Sequence, residues 1–308
     1  MKKYLFIINP AAGHFDSGDL VELINKSAAP TDHLVEIIFT EYPLHASELT
    51  EKFTKDSSYD YIISAGGDGT LNEVINGFTA DTETSLGVLP VGSGNDFVKN
   101  LKYPKGTESI VKFLFDEENY DVTKILPGSV NYHTDDGKIF QRKFINSLGV
   151  GFDAYVAFIN RKDKILPGWI SYFFAVFKGM KEFKKLNCSL EIDKSITKSG
   201  DFLLLSAGIG KSSGGGFYLT PHAEPLNDHL ELTTVDYAPR LTIISKLPKA
   251  LVNKMDDVKE AKFYRIETVT IDLENSYFVH IDGEILSDSV KKLQIKRNSH
   301  HIKFIRGK

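Results

Sequence analysis

Apolar and polar positions change rhythm once along this chain of 308 residues. Up to about residue 120, short apolar runs alternate with stretches whose apolar residues recur every three or four positions. Tyr4–Ile8, Val35–Phe39, Tyr61–Ala65 and Leu86–Leu89 are apolar runs bounded by polar or glycine-bearing turns. Between them fall helical stripes: Leu20, Val21, Leu23 and Ile24; Leu49 and Phe53; Leu71, Val74 and Ile75; then Ile110, Val111, Leu114 and Phe115. Strand alternating with helix predicts a parallel α/β layer. From about Tyr120, short alternating strands follow one another: Asp121–Ile125, Ser129–His133, Ile139–Ile145, Ser189–Ile192, Phe202–Ser206, Leu230–Val235, Thr268–Leu273, Tyr277–Ile281 and Val290–Ile295. Helical patterns interrupt them near residues 167–186 and 241–255. The expectation is an α/β chain of two domains. An N-terminal parallel-sheet domain covers residues 1–124, with 298–308 a candidate to rejoin it. A C-terminal antiparallel β-sandwich covers 125–297.

Composition narrows the function classes. The chain is 42% hydrophobic and 25% charged, an ordinary globular balance. Its net charge of −4 gives no global attraction for nucleic acid, so none is expected as a partner. The single cysteine, Cys188, excludes an intrachain disulfide and fits a reducing compartment. The opening Met1-Lys2-Lys3 and its apolar run stop at Asn9-Pro10, too soon for a secretory signal. The longest apolar stretch, Ile165 to Phe177, is broken by Pro167-Gly168 and is too short to span a bilayer. These features predict a cytoplasmic protein with transient contact to a membrane surface. Such contact would use the segment Arg161 to Lys185, where Trp169, Tyr172, Phe173, Phe174 and Phe177 mix with Arg161, Lys162, Lys164, Lys178, Lys181, Lys184 and Lys185. The same aromatics also suit plain core packing, and the loop Lys211 to Phe217 reads as a cleft lip or a connector. A homodimer is left open.

The chemistry gathers where the first strands end. Gly66-Gly67-Asp68-Gly69-Thr70-Leu71-Asn72-Glu73 follows a strand and opens a helix. Glycines there let the backbone approach an anion, and a helix N-terminus favours phosphate. Asp68 stands where it could orient Mg²⁺ against a polyphosphate. Gly92-Ser93-Gly94-Asn95-Asp96-Phe97 repeats the arrangement after the strand Leu86–Leu89. Asn9-Pro10-Ala11-Ala12-Gly13 ends the first strand, and Thr40 ends the second. One such loop would read as a capped turn; several at successive strand ends point to a phosphate site beyond the sheet's carboxyl edge. No Gly-x4-Gly-Lys-Ser/Thr and no Gly-x-Gly-x-x-Gly at the first helix occur. The histidines lack zinc spacing.

These motifs resemble the soluble bacterial diacylglycerol kinase family, which shares its catalytic domain with sphingosine and ceramide kinases. The matching residues are Asn9-Pro10 with Gly13, Gly66 to Glu73, Gly92 to Phe97, Phe144-Ile145-Asn146 with Gly149 to Asp153, and His280-Ile281-Asp282-Gly283-Glu284. The resemblance implies that Asn9, Pro10, Ala11, Ala12, Gly13, Thr40, Gly66, Gly67, Asp68, Gly69, Thr70, Leu71, Asn72, Ser93, Asn95 and Asp96 form the ATP site. It implies that Asp68 organises Mg²⁺, and that Asp282 or Glu284 is the base for a lipid hydroxyl. By the residues alone, Asp282-Gly283 reads first as a hairpin turn. The resemblance also implies a second, structural Mg²⁺ held by Asp228 and by the carbonyls of Pro225 and Leu230. His229 replaces the family's usual glycine in that loop, which would strain it if positive φ is required. The implied activity is ATP-dependent phosphorylation of a diacylglycerol-like membrane lipid. An NAD kinase, sharing Gly-Gly-Asp-Gly-Thr, and a non-catalytic lipid- or nucleotide-binding regulator are the alternatives.

Overall fold

The computed structural model describes residues 1–13, 16–56, 58–80, 82–92, 94–162, 169–214 and 216–308, with the backbone alone for 169–173. The chain divides into two compact units: Met1–Leu126 with Ser299–Lys308, and Pro127–Asn298.

The first unit is a six-stranded sheet in the order β2-β1-β3-β4-β15-β5. Its strands are β1 (Lys3–Ile8), β2 (Leu34–Phe39), β3 (Tyr61–Gly66), β4 (Ser85–Pro90), β5 (Tyr120–Ile125) and β15 (Ile302–Gly307). β2, β1, β3 and β4 are mutually parallel. The last strand of the chain, β15, enters parallel to β4 and antiparallel to β5. Residues 61–66 of β3 are all buried, as a central strand covered on both faces must be. The covering helices are α1 (Ser17–Ala28), α2 (His45–Lys55), α3 (Asp68–Gly77) and α4 (Thr107–Leu114). Asp16 caps α1 by accepting the Gly18 and Asp19 N–H groups. By contrast, α3 starts at Gly67 with no side-chain cap.

The second unit is antiparallel and strand-rich. Its strands are β6 (Gly128–Thr134), β7 (Ile139–Phe144), β8 (Ser147–Gly151), β9 (Leu186–Ile192), β10 (Ile196–Gly208), β11 (Leu230–Asp236), β12 (Ala261–Ile266), β13 (Thr268–Ile281) and β14 (Glu284–Arg297). They run in the order β12-β11-β10-β8-β13-β14-β6-β7, and β9 pairs with both β10 and β13. Long strands serve two neighbours in turn. β13 pairs with β9 through residues 269–273 and with β8 through 279–281. The sequence pattern divides this strand in two because its register shifts between Asp272 and Tyr277. One sheet face buries Leu148, Val150, Leu205, Ala207, Val279 and Ile281 in the sandwich core. The other face carries α5 (Phe152–Lys162), α6 (Trp169–Glu182) and α7 (Arg240–Leu251).

Candidate functional site

Three glycine-bearing loops of the first unit meet at the carboxyl edge of the parallel strands. The β3–α3 loop and the β4 loop touch through their bare backbones: a Cβ on Gly92 would stand 2.4 Å from the Gly67 Cα. Asp68 ties them further, since the Asp96 backbone N–H donates to its Oδ1 at 3.0 Å. Gly94 leaves space at the other oxygen, where a Cβ would come within 2.6 Å of Oδ2. The first loop joins through Asn9, whose N–H donates to the Ala65 carbonyl and whose Nδ2 donates to Thr70 Oγ1 at 3.0 Å. Asn9 Oδ1 also accepts the Ala11 N–H, which folds Pro10 and Ala12 into a tight turn before Gly13. Thr40 is fixed beside this loop by its N–H to the Ile8 carbonyl. Leu71 and Asn72 are buried in the first turn of α3, whereas Gly69 is only part-buried. Asn95 adopts φ +52° and donates to the Gly92 carbonyl. Ser93 lies outside the described residues.

This geometry fits a polyphosphate. The N-terminus of α3 follows Gly67, which has no side chain to cap it, and the helix dipole favours an anion there. Asp68 supplies a part-buried carboxylate at the same edge, the donor type that Mg²⁺ takes.

In the second unit, Asp282 and Gly283 form a two-residue hairpin turn between β13 and β14. Both have positive φ, +50° and +86°, and Ile281 pairs with Glu284 across the turn. This is the Asp-Gly hairpin read from the residues. The turn also holds a buried anion. Asp282 Oδ1 accepts the N–H groups of Asn146 at 2.8 Å and Ser147 at 3.0 Å, and Oδ2 accepts that of Ile145 at 3.0 Å. Glu284 differs: its side chain is 54% exposed and pairs with Arg161 across 3.3 Å.

The proposed second metal loop has a different content. His229 does not take positive φ, so its β-carbon causes no strain. Asp228 is 87% exposed and stands 3.5 Å from His229 Nδ1. The buried Arg297 guanidinium donates to the carbonyls of Asn227 at 2.7 Å and His229 at 3.0 Å. A cation therefore already sits in this loop. Leu230 enters the β11–β12 ladder opposite Ile266. Among the described residues, no group of three histidine, cysteine or acidic side chains is placed to hold a metal. With Arg297 on the neighbouring Asn227 and His229 carbonyls and Asp228 turned to solvent, Pro225, Asp228 and Leu230 do not gather into a divalent-ion site.

An apolar pocket with a cavity volume of ≈ 80 Å³ lies between the helices and the outer sheet face of the second unit. Phe152, Val156, Leu204, Val235 and Ile243 line it, with the Asp153 carboxylate in its wall. Asp153 Oδ2 is 3.2 Å from His280 Nε2, and both side chains are buried. Both residues stand in the motifs that carry the family resemblance, but their pairing across 127 positions is not legible in the sequence. Cys188 is a core residue of the sandwich, its thiol pushed up to about 12 by burial.

A family model for the diacylglycerol kinase catalytic domain matches residues 3–125, and one for the YegS C-terminal NAD kinase beta sandwich-like domain matches 146–299. The chain belongs to the diacylglycerol kinase family. Among curated proteins, it is 26% identical to YtlR of Bacillus subtilis (strain 168), a lipid kinase by name, over 95% of this chain and 96% of that one. It is 26% identical to the diacylglycerol kinase of the same organism, over 92% and 90% of the two chains. A crystal structure of a diacylglycerol kinase from Bacillus anthracis str. Sterne superposes with a TM-score of 0.73 at 20% identity, covering 99% and 97%. Yeast NADH kinase, in complex with NADH, shares the fold more distantly, with a TM-score of 0.58 at 12% identity over 100% and 84%. Membership supports a lipid kinase, and the α/β and antiparallel β-rich domains are those of the two family models. No helix among the described residues is long and apolar enough to cross a membrane.

Proposed function

We propose that this protein transfers the γ-phosphoryl group of ATP to a hydroxyl of a diacylglycerol-like lipid, giving a phosphatidic-acid-like product. The apolar cavity carries this reading over the NAD kinase alternative. An apolar pocket walled by Phe152, Val156, Leu204 and Val235 suits hydrocarbon, and a dinucleotide has no use for it.

The residues divide the work. The uncapped N-terminus of α3 and the bare Gly67–Gly92 contact cradle the phosphates. Asn9 and Thr70 hold the first loop against the second, so the cradle is rigid before ATP arrives. Asp68 is the candidate Mg²⁺ ligand; bound there, Mg²⁺ would spread the charge of the transferring phosphoryl group. Asp282 and Glu284 are the two candidates for taking the hydroxyl proton. The three backbone N–H groups on Asp282 weaken it as a base by favouring its charged form, whereas Glu284 must part from Arg161. The exposed aromatic and basic face of α6 would bring the protein to the membrane surface where the lipid resides.

Radiolabelled ATP, offered with a panel of lipids in mixed micelles and with NAD in solution, tests the reading. Label should enter lipid. Label in NAD, or in neither acceptor, would refute it.

A further inference from the structure

We infer that Asp153, His280, Ser206 and Thr233 form a buried recognition site for a second oxygen on the lipid, and that the adjoining cavity takes one hydrocarbon chain. The inference rests on the lipid-kinase reading and narrows its substrate to neutral lipids that carry a polar group beside the acceptor hydroxyl.

Strand register creates the site. Thr233 lies opposite Ser206, Ser206 opposite Gly149, and Gly149 opposite His280. Directly paired residues share a sheet face, so these four positions form one row across β11, β10, β8 and β13. One strand repeat away on the same face stand Val235 and Leu204, which line the cavity. The wall thus passes from hydrocarbon to polar within about 7 Å. Gly149 is bare because the pair occupies its side-chain space: a Cβ there would stand 1.9 Å from Asp153 Oδ2 and 2.3 Å from His280 Nε2.

The row is polar without being self-satisfied. Among the described residues, Ser206 Oγ, Thr233 Oγ1 and His280 Nδ1 are buried with no hydrogen-bond partner. Such atoms are costly, and native proteins keep few of them without a water or ligand to meet them. The opposite face of these strands is ordinary core, with Leu205, Ala207, Val279 and Ile281. That face carries Thr234 as a lone buried hydroxyl beside Leu205, so the row of polar side chains belongs to the helix-covered face. Its chemistry selects a neutral group: Asp153 would repel a phosphate, while a hydroxyl can donate to the carboxylate and accept from Ser206, Thr233 or an intervening water. His280 stands two residues before Asp282 on β13, which puts the row next to the candidate catalytic turn.

The experiment compares 1-decanoylglycerol with the decanoyl monoester of ethylene glycol, which keeps the chain, the ester and one hydroxyl but lacks the second. The wild type should favour the glycerol ester at least tenfold in kcat/KM. The Ser206→Ala/Thr233→Val double variant, and His280→Gln separately, should bring that ratio to within about threefold while the KM for Mg·ATP stays put. Because the readout is a ratio within one protein, partial unfolding does not mimic it. Calorimetric binding of the two esters without nucleotide gives the same ratio independently of turnover. Selective binding without phosphorylation would sink the kinase reading and leave this one standing. A wild-type ratio near one, or variants that keep the wild-type ratio, would overturn the recognition site. For the chain, Val235→Phe should shift preference from hexadecanoyl towards octanoyl glycerol; an unchanged chain-length ratio would overturn that part.

Discussion

Asp282 is fastened to the backbone of Asn146, whose N–H donates to its Oδ1 at 2.8 Å. Asn146 in turn accepts the N–H groups of Ile209 and Gly210 and donates through Nδ2 to the Ser212 carbonyl. The carboxylate therefore anchors the start of β8 and the 209–212 loop to the β13–β14 turn. An alanine at this position would orphan three buried N–H groups, those of Ile145, Asn146 and Ser147. We expect Asp282→Ala to cost roughly 3 kcal/mol or more, while Asp282→Asn, which keeps one acceptor oxygen, costs less. Glu284→Ala should leave the melting midpoint in place, because its partner Arg161 is exposed. Lipid phosphorylation on folded Asp282→Asn and Glu284→Ala then identifies the base: one loses kcat with Mg·ATP affinity within a few-fold. Wild-type rates in both would leave the turn a hairpin and nothing more.

Asp68 joins the two phosphate loops through Oδ1, which accepts the Asp96 N–H. An asparagine can still offer that oxygen to the Asp96 N–H, so Asp68→Asn should fold normally. The charge that Mg²⁺ requires is gone, and kcat should fall about 100-fold or more. Wild-type turnover in a variant with an unchanged melting curve would remove Asp68 from the reaction.

The extent of foresight differs between the two units, for a physical reason. In the first, apolar runs end at glycine clusters, so strand ends and candidate loops coincide in the sequence. The Gly67–Gly92 contact follows from β3 pairing with β4, which parallel α/β order already requires. In the second, β8 is Ser147-Leu148-Gly149-Val150-Gly151, too glycine-rich to read as a strand, although its register sets Gly149 between Ser206 and His280. The Asp153–His280 pair joins residues 127 positions apart, which no local pattern reveals. Lys164 and Gly215, and the side chains of Trp169, Tyr172 and Phe173, lie outside the described residues.

Glu231 offers a pH test of the second unit. It is 5% exposed, and among the described residues neither carboxyl oxygen has a hydrogen-bond partner. Burial pushes its pKa up to about 7; His222 opposes the shift, but no contact there reaches hydrogen-bonding geometry. A carboxyl raised above its unfolded value of about 4.5 holds its proton longer when folded. Stability is therefore greatest below pH 4.5 for this group and declines as pH rises to 7, by roughly 3 kcal/mol in all. Glu231→Gln should remove that decline and raise the melting midpoint at pH 8. Parallel stability curves for the two proteins between pH 5 and 8 would contradict the burial argument.

Arg297 bears on metal dependence. Its guanidinium is buried, with its pKa lowered to about 10 by that burial while Asp228 raises it. It holds the Asn227 and His229 carbonyls, the part of the loop nearest the implied metal. Chelation with EDTA should therefore leave the melting midpoint unchanged, and Arg297→Met should lower stability by about 2–3 kcal/mol. A midpoint that drops on chelation and returns with Mg²⁺ would show that a divalent ion shares the loop with Arg297.

The last prediction concerns the membrane. Phe174, Phe177, Lys178 and Lys181 are exposed, and their spacing of three and four places them along one side of α6. Ala175, Val176 and Met180, on the opposite side, pack into the helix-covered core. Two aromatics at 63% and 45% exposure with two lysines beside them suit the headgroup boundary of an anionic bilayer. Lys185 contributes less, because Asp201 holds it at 2.6 Å. Co-sedimentation with vesicles rich in phosphatidylglycerol should weaken between 0.05 and 0.5 M salt, since screening shortens the reach of surface charge to well under about 10 Å. Lys178→Glu with Lys181→Glu should abolish that salt-sensitive part, and Phe174→Ser with Phe177→Ser should reduce binding at every salt concentration. Equal binding to neutral and anionic vesicles would remove the electrostatic component. Unchanged binding by the phenylalanine variant would mean that α6 is not the face that meets the lipid.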